Sequence, residues 1–122
     1  MELLPILVTW DFTDVSAYAL EHAVRMSNMS GRNIVLLHIL KNNSSEDTAF
    51  SKLRSVSKEC KRKYGIEPEI IIKSGNIFTT ISETANNIQA KLVIMGTHGY
   101  NGMQKIFGSR VKRVLSKLNA PF

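Results

Sequence analysis

One cysteine, Cys60, leaves no intramolecular disulfide to form and no cysteine cluster to hold zinc. It stands at an apolar helical spacing and reads as buried filler. Long apolar runs are missing too: none approaches the ~20 residues of a membrane span. The opening Met1-Glu2-Leu3-Leu4-Pro5 has neither the basic region nor the cleavage site of a signal peptide, so a cytoplasmic protein with no membrane contact is expected. Acidic residues are absent from 91–122, where Lys91, Lys105, Arg110, Lys112, Arg113 and Lys117 carry the whole net charge of +6. Residues 1–90 hold ten charges of each sign and are neutral overall, so something anionic is expected to meet the last quarter of the chain.

Conventional catalytic signatures are lacking as well. No Ser or Cys has a base at a known motif spacing, no carboxylate pair is evident, and neither a Walker lysine motif nor a dinucleotide Gly-x-Gly-x-x-Gly occurs. What is present is an ordinary globular composition, 43% hydrophobic and 21% charged over 122 residues, which excludes whole-chain disorder. With about 100–200 residues per domain, a single domain over 1–122 is expected.

Short β-branched runs alternate with longer stretches of helical spacing, the pattern of β-α units around a parallel sheet. Ile6-Leu7-Val8-Thr9-Trp10 reads as the first strand. Thr13 or Asp14 caps a helix marked by Ala19, Leu20, Ala23 and Met26, and Ser30-Gly31 stops it. Ile34 to Leu40 is nearly unbroken in its apolar character, as suits a central strand buried on both faces. Lys41 to Asp47 reads as a polar linker. Phe50, Leu53, Val56, Cys60 and Tyr64 then predict the buried stripe of a basic second helix ending at Gly65. Pro68 to Lys73 reads as a strand, Gly75-Asn76 as a turn, Ile77, Ile81, Ala85 and Ile88 as a third helical stripe, and Leu92 to Met95 as a fourth strand. From Gly108, Val111, Val114, Leu115 and Leu118 predict a last helix. Right-handed crossovers make this an open, doubly wound α/β/α sandwich of the Rossmann-like kind. Ligands of such folds lie beyond the carboxyl ends of the strands, which directs attention to Asp11, Ile39 and Gly96.

Four of the seven glycines fall in Met95-Gly96-Thr97-His98-Gly99-Tyr100-Asn101-Gly102-Met103-Gln104-Lys105-Ile106-Phe107-Gly108-Ser109, between a strand and an amphipathic segment. Glycine allows close backbone approach, and the first amides of a following helix favour phosphate. Ser109 adds a hydroxyl donor. His98 reads either as a phosphate contact or as a residue that holds the turn. His38, inside an apolar strand, reads as a hydrogen-bonded core residue rather than a ligand. Asp11 reads either as a cap of its turn or as a ligand-binding acid.

Gly96-Thr97-His98-Gly99 followed by Gly108-Ser109 resembles the nucleotide loop of the universal stress protein family. Ile6-Leu7-Val8 through Asp11-Phe12-Thr13, with Ser16, Ala19 and Leu20, resembles that family's first strand and helix, and Leu36-Leu37-His38-Ile39 its second strand. The resemblance covers nearly the whole chain and points to the ATP-binding branch. It implies a five-stranded parallel sheet, homodimers, and an adenine nucleotide, ATP or AMP with Mg²⁺ as an accompanying ion. It also implies Asp11 on the ribose hydroxyls, backbone of Ile39 on the adenine edge, and Thr9, Met95 and Gly96 near the ring and ribose. Gly99, Gly108, Ser109 and the Arg110 amide would then surround the phosphates, with His98 beside them as a candidate contact.

Three features depart from the family pattern. Tyr100 to Phe107 makes the loop one residue shorter than usual; Thr9-Trp10 replaces a proline and a small residue, placing an indole where it can cover or crowd the site; and Phe122 stands where a fifth strand that often supports the dimer would follow. The last is read as a shortened form or one domain of a longer protein. The implied function is a stress-response regulator rather than a conventional enzyme, with slow ATP hydrolysis as an incidental activity. The competing readings are a nucleotide-free interaction module whose basic end meets an acidic partner and, with less support because an aromatic platform is lacking, a nucleic-acid binder.

Overall fold

The computed structural model describes residues 3–41 and 44–95. In chain order these form β1 (Ile6–Thr9), α1 (Asp14–Ser30), β2 (Ile34–Leu40), α2 (Glu46–Tyr64), β3 (Glu69–Ser74), α3 (Ile77–Asn87) and β4 (Leu92–Ile94). The segment expected to form the last helix, and the loop from Gly96 to Ser109 before it, lie outside the described residues.

Side-chain caps set where the helices begin. Thr13 accepts from the Ser16 amide at the start of α1, Ser45 from the Thr48 amide at the start of α2, and Asn76 from the Phe78 and Thr79 amides at the start of α3. Each satisfies backbone donors that the first turn leaves without a carbonyl. Glu46 and Asp47 in the first turn of α2, and Lys61, Arg62 and Lys63 in its last, oppose the helix dipole at both ends. The stretch read as linker up to Asp47 thus contributes its last two residues to α2, because Ser45 caps earlier than the apolar spacing suggests.

Gly31 and Gly65 close α1 and α2 in the left-handed region, both at φ 76. A Cβ added at Gly65 would meet nothing within 4 Å, so a substitution there isolates the backbone cost. Gly65→Ala is expected to lower the unfolding free energy by about 1–2 kcal/mol, and Gly65→Asn by less, since Asn tolerates this conformation. Urea denaturation measures both, and a neutral alanine variant would contradict the assignment.

The strands pair in parallel in the order β3-β2-β1-β4. Ile6 lies opposite both Ile34 and Leu92, and Val35 opposite Glu69. Side chains alternate across the sheet, so two cores result. Ile6, Val8, Trp10, Ile34 and Leu36 join Ala19, Leu20, Ala23 and Val24 of α1 and Leu53 and Cys60 of α2 on one face. Leu7, Val35, Leu37 and Val93 join Ile81 and Ala85 of α3 on the other. Burial of Cys60 pushes its thiol pKa above the ordinary 9.0, as desolvation disfavours the thiolate.

The stripe read for α2 needs correction at its ends. Leu53 and Cys60 are buried, but Phe50 and Tyr64 are 46% and 41% exposed. Ala49 and Ser57 occupy the buried face instead, with the Ser57 hydroxyl donating to the Pro68 carbonyl at 2.6 Å. Ile77, read as part of the third stripe, is 41% exposed, because it sits in the first turn of α3 at the rim of the sheet.

Candidate functional site

β1 has β2 on one side and β4 on the other; the connection leaving β1 runs through α1 to β2, whereas β4 is entered from α3 on the far side of β1, so the strand order reverses at the carboxyl end of β1. A cleft of about 470 Å³ opens at this point, within the ~300–1,000 Å³ typical of small-molecule sites. Its floor is apolar, made by Leu37, Ile39, Ile77, Ile81 and Met95, and its polar lining includes Thr9, Asp11, Ser16, His38 and Lys41. Thr9 and Ile39 face it because they follow Leu7 and Leu37 by two residues on the same side of the sheet.

Asp11 follows β1 and builds the turn into α1. Its Oδ1 accepts from the Thr13 amide at 3.1 Å, the Thr13 hydroxyl and the Ser16 hydroxyl. The Asp11 amide donates to Ser16 Oγ at 3.0 Å. The carboxylate is exposed and held in one orientation, with Ser16 only 3% exposed beneath it. Of the two roles read for Asp11, the turn role is therefore present in the bonding; its place on the cleft wall leaves the other available to the same side chain.

Phe12 adopts φ 65, an uncommon conformation for a residue with a bulky side chain. Packing compensates. Its ring meets Trp10 edge-on at 6.2 Å and His38 at 4.8 Å, and Lys52 Nζ lies 5.7 Å from its centroid. His38 Nδ1 is 2.7 Å from the Trp10 carbonyl; because a carbonyl only accepts, Nδ1 carries the proton. His38 is thus hydrogen-bonded within the fold, as the sequence led one to expect. The Trp10 side chain packs into the core on the α1 and α2 side, and the residue also contributes to the lining of the cleft, so Trp10 does meet the site, as expected, with most of its ring drawn into that core. Among the described residues its Nε1 is buried with no hydrogen-bond partner.

Of the residues the sequence singled out, Thr9, Asp11, Ile39 and Met95 come together on this cleft. Gly96, His98, Gly99, Gly108, Ser109 and Arg110 lie outside the described residues. Leu37, Lys41, Gly75, Ile77 and Ile81 also line the cleft and were not read as site residues. Lys41 was legible in principle, since it immediately follows β2. Ile77 and Ile81 were hidden by a helical spacing that reads equally well as core. Among the described residues no group of three His, Cys, Asp or Glu could hold a metal ion, and no helix is long and apolar enough to cross a membrane.

Comparison with known proteins follows the same lines. A universal stress protein from Burkholderia pseudomallei superposes with a TM-score of 0.68 at 16% identity, covering 97% of this chain and 92% of its own. A universal stress protein from Archaeoglobus fulgidus in complex with dAMP gives 0.73 at 22% identity, over 99% and 96%. A universal stress protein in complex with cAMP gives 0.69 at 14% identity, over 96% and 92%. At these identities the likeness establishes the fold. No curated protein matches the sequence. The profile of the universal stress protein family, however, matches residues 3–122, and with the parallel β-α sheet described above it places this chain in the universal stress protein family.

Proposed function

We propose that the chain binds an adenine nucleotide across the carboxyl ends of β1, β2 and β4, as a member of the ATP-binding branch of its family, and acts as a cytoplasmic, homodimeric stress-response regulator rather than as a conventional enzyme. The observation that carries the reading is the cleft of about 470 Å³ with an oriented Asp11 on its wall. An ionised carboxylate accepts hydrogen bonds from both hydroxyls of a ribose diol. The apolar floor of Ile39, Ile77 and Met95 suits a purine ring, and the backbone at Ile39 can meet its hydrogen-bonding edge. Relatives of the same fold in complex with dAMP and with cAMP add support.

Gly96, His98, Gly99, Gly108, Ser109 and the Arg110 amide are the groups assigned to the phosphates, with Mg²⁺ entering on the nucleotide itself. Thr9, Asp11, Ile39 and Met95 hold the nucleoside. Slow hydrolysis of a bound triphosphate requires only that water reach it, and no residue is assigned a catalytic role.

Calorimetric titration with Mg-ATP, AMP and cyclic AMP tests the proposal on the native chain and on a Gly99→Ala/Gly108→Val double variant. Binding heat is expected for the native chain, with affinity for ATP at least tenfold weaker in the double variant. The shortened loop leaves the preferred phosphate number to this comparison. Absence of heat with every nucleotide in the native chain would refute the proposal and favour the interaction-module reading.

A further inference from the structure

The ladder between β1 and β2 stops one bond short, and a side chain takes the place of the missing rung. In a parallel pair, alternate residues of a strand turn their N–H and C=O towards the same neighbour. The Ile6 amide donates to the Asn33 carbonyl and the Trp10 amide to the Leu37 carbonyl, each at 2.8 Å. With Thr9 in register with Leu37, it is Val35, Leu37 and Ile39 that present their backbone groups to the β1 side. The next rung would join the Ile39 N–H to the Trp10 carbonyl. It is not made. β1 ends at Thr9 while β2 runs on to Leu40, and among the described residues no backbone bond links Ile39 to Trp10. The Trp10 carbonyl accepts instead from His38 Nδ1 at 2.7 Å.

Two consequences meet at the cleft. Ile39, which lines it, keeps an N–H and a C=O directed past the end of β1 with no partner on that strand. A donor beside an acceptor matches adenine, whose edge sets a ring-nitrogen acceptor next to the amino donor; guanine carries an acceptor oxygen where adenine has that amino group. The same imidazole also steadies Asp11. The Trp10 carbonyl and the Asp11 amide belong to one peptide unit, and the amide donates to Ser16 Oγ at 3.0 Å, so the unit is gripped at both ends. The Phe12 ring, on a backbone at φ 65, folds back onto the imidazole at 4.8 Å.

We propose that His38 is a positioning residue that gives the cleft a preference for adenine over guanine: by occupying the Trp10 carbonyl it keeps the Ile39 N–H and C=O out of the ladder and open to the base. Without the imidazole donor, the nearest donor to the Trp10 carbonyl is the Ile39 N–H, and the ladder gains that rung. The base preference rests on the nucleotide reading above; the state of the ladder does not.

Amide hydrogen exchange by NMR and calorimetric titration with Mg-ATP and Mg-GTP test it on the native chain, His38→Phe and His38→Asn. Phenylalanine keeps a ring but has no donor, whereas asparagine places Nδ2 where Nδ1 stands. In the native chain the Ile39 amide is expected to exchange at least tenfold faster than the Leu37 amide, and in His38→Phe at least tenfold more slowly than in the native chain. Selectivity for ATP over GTP is expected to be at least tenfold in the native chain, to fall below threefold in His38→Phe, and to return to within about threefold of native in His38→Asn. A residue that only supported the fold would lower both affinities alike. A native Ile39 amide as slow as that of Leu37 overturns the proposal, whether or not His38→Phe folds, and so does exchange that His38→Phe leaves unchanged. Slowed exchange with unaltered base selectivity overturns the specificity role. A native chain that binds neither nucleotide overturns the nucleotide reading and the base preference with it, while the exchange contrast still decides what His38 does to the ladder.

Discussion

Leu36→Ala is expected to cost about 2–5 kcal/mol of folding free energy, seen as a lower urea midpoint at unchanged slope. Leu36 is 0% exposed in the middle of β2, with β1 on one side and β3 on the other. Its side chain enters the core shared with α1 and α2, so truncation leaves a cavity that the rigid sheet closes only in part. A loss of this size is a large share of the ~5–15 kcal/mol that holds a domain together. Leu37→Ala should cost a similar amount, since Leu37 is 1% exposed, but it carries a second consequence. Leu37 points to the opposite face and forms cleft floor. Nucleotide affinity should therefore fall at least fivefold in Leu37→Ala and stay within about twofold in Leu36→Ala, measured where both variants are folded. Equal affinities in the two variants would show that the cleft floor plays no part in binding.

Asp11→Ala should weaken the fold and the site together. Removing the carboxylate takes an acceptor from the Thr13 amide and from the Thr13 and Ser16 hydroxyls, and the buried Ser16 hydroxyl cannot turn to water in exchange. The expected destabilisation is about 1–3 kcal/mol. Adenine nucleotide affinity should fall at least tenfold, equivalent to about 1.4 kcal/mol. Asp11→Asn separates the two effects. Its amide oxygen can keep the turn bonds, so most of the stability should return, whereas an amide offers one acceptor and a donor to a diol that needs acceptors. Native-like binding by Asp11→Asn would exclude the ribose role, and an undiminished melting temperature in Asp11→Ala would exclude the turn role.

Much of the architecture was legible residue by residue. The run Ile34 to Leu40 forms the strand it spells, because a strand buried on both faces tolerates no polar alternation. Thr13 and Gly31 bound α1 as read, since capping depends on side chains within a few residues of the helix end. The misreadings share one cause. Phe50, Tyr64 and Ile77 are apolar at helical spacing yet exposed, since periodicity marks a side of a helix without saying how far the neighbouring layer extends. For Trp10, the expectation that it covers or crowds the site is met in part: the residue lines the cleft, while its ring packs into the core on the α1 and α2 side.

Local chemistry along the chain was sufficient for the alternation of strands and helices and for the parallel β-α character, because caps, stops and apolar periods act over a few residues. The order β3-β2-β1-β4, and with it the meeting of Thr9, Asp11, Ile39 and Met95 around one cleft, was decided only in the folded molecule. Those residues come from three strands far apart in sequence. Which strand ends become neighbours depends on how whole apolar faces pack, a property no short window of sequence contains.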